Sequence, residues 1–221
     1  MTANSAVTPN RRGIKSRELV LNAAERVMAQ DGFDAATLAR VVAESGVAET
    51  SIYHYYGSKD GILLAVMERG AERFFADLPD PDRRTGRPAE HLSRVVTIAA
   101  ATLEHHPNFL RLLNVFAIQP PQTANGEVAA VVGRVRAMAL EQLRKQIAIA
   151  FDDDSQSATT DQLARFALAA FDGAFLATQT DPEITLEFIL EPLAAALVAA
   201  RRRLLTPRSG ASVARGPTKA P

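Results

Sequence analysis

Apolar residues recur along this chain three and four positions apart, and no stretch shows the strict alternation of a half-buried strand, so the pattern predicts helices throughout. From Ile14 to Gln30 the stripe is Val20, Leu21, Ala24, Val27 and Met28, and Asp31-Gly32 stops it. A second helix is predicted from Thr37 to Ser45, with Leu38, Val41 and Val42 on one face and the Thr37 side chain placed to accept from free N–H groups of the first turn. Gly46 ends it, because glycine takes the left-handed conformation that lets another helix leave at a steep angle. Val47, Ile52 and Tyr56 anchor that third helix inward. Glu49, Thr50, Ser51, Tyr53, His54 and Tyr55 then form its outer side, and all of them can hydrogen-bond to phosphates or base edges.

Ser58 is a predicted N-cap for a long helix, Lys59 to Asp77, whose apolar set includes Ile62, Leu63, Val66, Met67, Phe74 and Phe75. Its first half suits packing on the N-terminal head and its second half suits a larger body, which makes it a mechanical link. Pro79, Pro81, Gly86 and Pro88 mark a polar loop, and further helices are predicted at Ala89 to His105, from Pro107 through Phe116, and at Glu127 to Phe151. After the polar connection Asp152 to Thr160, one helix carries Leu163, Phe166, Ala167, Ala170, Phe171 and Ala174; the last carries Leu186, Ile189, Leu190, Leu193 and Leu197, with Pro192 expected to kink or restart it. Alanine-rich stripes let a neighbouring helix come close, and these two are read as a dimer interface in preference to an internal core.

Composition narrows the class. A chain of 221 residues can hold a small head on a larger body. It has no cysteine, which excludes disulfides and thiolate metal sites and fits a reducing cytoplasm, and no apolar run reaches the length of a membrane span. The charge balances at 25 basic against 25 acidic residues, yet both ends are basic: Arg11, Arg12, Lys15 and Arg17 precede the first acid, and no acid follows Arg201. The expected division is a disordered basic arm at 1–12, a helix-turn-helix domain at 13–60, a helical effector and dimerisation domain at 61–205 and a disordered basic tail at 206–221. Nothing calls for catalysis, a metal or a cofactor. Asp152-Asp153-Asp154 sits in a connection, adjacent His105 and His106 diverge on a helix, and no phosphate loop or nucleophile elbow occurs.

The run from Arg17 to Leu63 resembles the N-terminal domain of the TetR family of bacterial transcriptional regulators. The matching signature is Val20, Leu21, Ala23, Ala24, Gly32-Phe33, Thr37, Val41, Gly46-Val47, Ser51-Ile52-Tyr53-His54-Tyr55-Tyr56 and Ser58-Lys59-Asp60. The resemblance implies an all-α protein: a three-helix head joined by a long helix to a helical ligand-binding and dimerisation body. It implies Thr37, Tyr53 and Lys59 as phosphate clamps, Thr50, Ser51, His54 and Tyr55 nearest the bases, and Tyr56 in the core. Glu49 departs from a phosphate-binding face and suits a cytosine amino group. Val42 and Ser45 stand where the family often has alanine, and Gly61 is expected to loosen the next helix by about 1 kcal/mol relative to alanine.

The implied partners are a palindromic duplex, a second copy of the chain bound through the two C-terminal helices, and a hydrophobic small molecule. Its candidate lining is His105, Phe109, Leu113, Asn114, Phe116, Met138, Gln142, Phe171, Asp172 and Phe175. The competing readings are a helical sensor without DNA binding, to which Glu49 points, and a small helical enzyme.

Overall fold

The computed structural model describes residues 11–78, 84, 86–118 and 126–206, and among them every regular element is a helix. In chain order these are α1 (Arg11–Asp31), α2 (Leu38–Ser45), α3 (Glu49–Tyr56), α4 (Lys59–Asp77), α5 (Pro88–His105), α6 (Pro107–Ile118), α7 (Gly126–Phe151), α8 (Ala158–Thr180), α9 (Leu186–Leu190) and α10 (Leu193–Leu205). Helix α1 already includes Arg11 and Arg12, and Ser16 Oγ donates to the Arg12 carbonyl one turn back (3.0 Å), so the expected arm is shorter than 1–12. Its remaining part, the turn at Pro120 to Asn125 and the tail from Pro207 lie outside the described residues.

Local chemistry sets the head. Thr37 Oγ1 accepts from Arg40 N at 3.3 Å, and Gly46, at φ 66°, closes α2 by donating its N–H to the Val42 carbonyl. Ser45 is buried for a reason: its hydroxyl oxygen accepts from Val47 N at 3.2 Å, which a side chain of alanine would leave unmet. Ser58 Oγ likewise accepts from Gly61 N at 3.0 Å. Gly61 is more than a weak helix former, since a Cβ there would run into the Tyr56 carbonyl, so the tight passage from α3 into α4 requires it. Val20, Ala24, Val27, Met28, Val41, Ile52, Ile62 and Leu63 fill the core between α1, α2, α3 and α4.

Helix α4 then runs from the head into the body, where it meets α6 and α7. Phe109 of α6 is fully buried and lies against Gly70, where any Cβ would overlap its ring. Burying such a ring contributes roughly 2–3 kcal/mol. Phe116 stacks edge-on against Phe33 of the head at 5.7 Å between centroids. Arg111 donates to the Ala29 carbonyl at the end of α1 (3.3 Å) and to Gln179 Oε1 of α8 (2.6 Å), which ties three helices together. Buried Arg69 of α4 donates to Glu18 (3.1 Å), Asn22 (2.8 Å) and Glu25 (2.8 Å) of α1.

In the body, α5, α7, α8 and α10 pack around one another with α9 bridging α5 and α8. Pro192 divides the last predicted helix: α9, capped by Thr185, ends at Leu190 and α10 starts at Leu193. Most of the stripe read as a dimer interface faces inward instead, and of its residues Phe166 stays exposed. Leu163, Ala167, Phe171, Ala174, Leu186, Leu190, Leu193 and Leu197 are all buried within the chain's own core. These helices are apolar on more than one side. The outward faces keep Phe166, Leu176 and Phe188 exposed, Phe188 by 76%.

Candidate nucleic-acid interface and cavity

Helix α3 sits on the head by burying Ile52, with Val47 buried in the turn before it, while Glu49, Thr50, Tyr53 and His54 are exposed and Ser51 and Tyr55 are half-buried. Tyr53 leaves 52% of its surface open, a large exposure for an aromatic ring with no packing partner on that side. Tyr55 lies under the Arg17 guanidinium, 5.0 Å from ring centroid to Cζ. Tyr56 is half-buried, donates its hydroxyl to the Arg17 carbonyl (3.2 Å), and has its phenol pKa raised by burial. Arg17, absent from the predicted contact set, therefore steadies two residues of α3 from the first helix. The only sequence signal for this is a cation in the first turns of α1.

Lys59 is half-buried. Its ammonium donates to the Asp34 carbonyl at 3.0 Å and lies 4.4 Å above the Phe33 ring. Thr37 spends its oxygen on capping α2, but its hydroxyl proton is free to donate outward. Arg40 projects from α2 and is held by Asp31, and Arg26 by Glu44 at 3.1 Å. Glu49 has no cation paired with it among the described residues.

A cavity of about 110 Å³ opens in the body between α4, α5, α6, α7 and α8. Leu113, Asn114, Gln142, Phe171, Asp172 and Phe175 are among its walls. The other four predicted lining residues are elsewhere. Phe109 fills the joint between α4 and α6, Phe116 turns to Phe33, Met138 is 49% exposed on the outer side of α7, and His105 is exposed at the end of α5. In each case a different face of the helix is the one that meets the cavity. Residues missed from sequence include Phe74 of α4 and Leu78 just after it, Leu110 of α6, and Val135, Arg136, Ala139 and Gln146 of α7. The α7 set follows the same three-and-four spacing through Gln142, a signal that was available.

Asp172 pairs with Arg136 at 2.6 Å, linking α7 to α8 at the cavity wall, and both side chains are about one-third exposed (33% and 32%). Arg144 and Arg165 both hold Asp161, whose carboxyl stays below the usual range because of those hydrogen bonds. His91 of α5 is buried and donates from Nε2 to Gln146 Oε1 at 3.2 Å; burial lowers its pKa, so it is neutral at pH 7.

The family model described as "Bacterial regulatory proteins, tetR family" matches residues 20–66, the head and the first half of α4. Residues 20–66 are thus a TetR-family head of the DNA-binding, helix-turn-helix type, and the chain is a transcriptional regulator. It is 22% identical over 163 residues to the HTH-type transcriptional regulator BetI of Brucella suis biovar 1 (strain 1330), covering 74% of this chain and 79% of that protein. Its fold is similar to that of a transcriptional regulator from Rhodococcus sp. Rha1, with a TM-score of 0.68 at 19% identity over 85% of this chain and 97% of that one. It is also similar to SmeT, the repressor of the Stenotrophomonas maltophilia multidrug efflux pump SmeDEF, with a TM-score of 0.62 at 20% identity over 84% and 91%. Over most of its length the chain shares the architecture of these proteins. Among the described residues, no helix is long and apolar enough to cross a membrane.

Proposed function

We propose that the protein is a homodimeric, cytoplasmic repressor that reads a palindromic operator with two copies of α3 and leaves it when an apolar small molecule fills the body cavity. The observation that carries this reading is the exposed row Glu49, Thr50, Tyr53 and His54 on a short helix braced by capped turns. One such helix reaches only a few base pairs, so specificity needs a second copy about 34–36 Å away in the next major groove. The outer faces of α8 and α9, with Phe166, Leu176 and Phe188 exposed, are the surface offered for pairing. Phosphate contacts from Thr37, Tyr53 and Lys59 set register, while Glu49, Thr50, Ser51, His54 and Tyr55 face the bases.

The cavity supports the switching half of the reading because α4 borders it through Phe74, with Leu78 at its C-terminal cap, and begins beside the DNA-reading helix at Lys59. A ligand that fits only one position of α4 shifts the protein toward that position, and DNA favours the other. Selection from a random DNA pool with the purified protein tests the proposal. Enrichment of an inverted repeat is the expected result, and a pool that stays unenriched at low salt contradicts it.

A further inference from the structure

We infer that the inner end of the body cavity is a hydrogen-bond donor site, built by a relay from Arg94 through His91 to Gln146, and that its ligand is a slender apolar molecule ending in a carbonyl-type oxygen. This rests on the reading of the cavity as a ligand site.

The relay has a direction. A guanidinium can only donate, so His91 Nδ1, 3.4 Å from an Arg94 terminal nitrogen, is the acceptor. His91 is neutral, which leaves its single proton on Nε2, and that proton goes to Gln146 at 3.2 Å. The partner atom must then be the Gln146 carbonyl oxygen. The amide NH2 is thereby turned away from α5. Gln146 is 8% exposed and lines the cavity, and its NH2 has no hydrogen-bond partner among the described residues. That nitrogen is not sealed off, since the fully buried side-chain atoms without a partner among the described residues are Arg69 Nε and Arg201 Nε, and a ligand acceptor that meets it gains about 0.5–1.5 kcal/mol relative to an apolar isostere. Donors in series polarise one another, which strengthens the last one.

The rest of the cavity sets the ligand's shape. Ten residues of α7 separate Gln146 from Arg136, which corresponds to about 15 Å along the helix axis. Between them the same face offers Ala139, Gln142 and Leu143. Arg136 and Asp172, each one-third exposed, mark the open end, and their charges already neutralise each other. A full carboxylate at the buried end would meet no direct cation there and would carry a desolvation penalty of several kcal/mol. A neutral ketone, ester or amide oxygen meets the donor without that penalty.

The test uses 2-octanone and its isostere 2-methyl-1-octene as probes, read by displacement of the fluorescent dye N-phenyl-1-naphthylamine from the full-length protein. In Gln146→Met, 2-octanone should weaken by about ten-fold, the effect of one buried hydrogen bond, while the alkene stays within about two-fold. His91→Leu should show the same ketone-selective loss, because it unpins the amide without touching the ligand. Gln146→Glu keeps an oxygen for His91 and replaces the donor with an acceptor, so it should favour octylammonium over 2-octanone; it also serves if the methionine variant does not fold. Ketone and alkene weakening together in these variants, or a ketone unaffected by Gln146→Met, overturns the donor site alone. Failure of every probe to displace the dye from the wild type overturns the cavity reading and this inference with it.

Discussion

Replacing Lys59 by methionine separates the two roles its position suggests. In the free protein the ammonium donates to the Asp34 carbonyl at 3.0 Å and rests over the Phe33 ring at 4.4 Å. Methionine keeps an unbranched stem on the ring and removes the charge. The cation–π contact and one charge-assisted hydrogen bond, at a half-exposed site, together account for about 2–4 kcal/mol, less than the stability of an ordinary domain, so the variant stays folded. On DNA the same ammonium is proposed to neutralise one phosphate per protomer. Each phosphate contributes a slope of about 0.9 in log affinity against log salt, so two Lys59 side chains account for about 1.8. Between 50 and 200 mM KCl the variant should therefore lose about twelve-fold less affinity than the wild type. Fluorescence anisotropy on a selected operator at four or five KCl concentrations measures this directly. An unchanged slope in a folded variant would mean that Lys59 stays on Asp34 and Phe33 in the complex, and the clamp assignment would fall.

Gly61→Ala should destabilise the protein even though alanine is the better helix former by about 1 kcal/mol, because its methyl collides with the Tyr56 carbonyl and overpacking costs about 1–3 kcal/mol. A urea midpoint above the wild type would refute that. Leu176→Arg, on the exposed face of α8, should give folded monomers in light scattering, whereas Leu193→Arg, which buries an unpaired charge, should fail to fold; a dimer persisting in Leu176→Arg would exclude that face. Burial lowers the His91 pKa below its unfolded value near 6.5. The unfolded chain then binds the extra proton first, so this contribution to stability is complete above about pH 6.5 and is lost as pH falls below it. His91→Asn should flatten that part of the stability profile in urea titrations, and an identical profile would refute the assignment.

Helix ends were legible in the sequence because their causes are local. Thr37, Gly46, Ser58 and Pro107 each act within one turn, and the observed boundaries fall within a few residues of those expected. Which face of a helix turns inward was legible where one stripe is apolar and the other polar, as in α1 through α4. It was not legible in α8 and α10, whose alanines and leucines surround much of the helix, and most of the stripe assigned to a partner, Phe166 excepted, proved to be the chain's own core. The cavity shows the same limit. Phe109 and Phe116 are as apolar as Phe171 and Phe175, and only the packing of α6 on Gly70 and Phe33 decides which pair meets the empty space. Gly61 was misjudged for a related reason: propensity describes a helix alone, and the carbonyl that excludes a side chain comes from α3.

The claim on which everything else depends is that the outer side of α3 meets base edges. Placing the photoreactive residue p-benzoylphenylalanine at Thr50, irradiating the protein on its selected operator and mapping the adducts tests it most directly. The account predicts cross-links to bases at symmetric positions in both half-sites, and none from a control at exposed Ile118. Cross-links from position 50 that are absent, or no more frequent than those from the control, would contradict it.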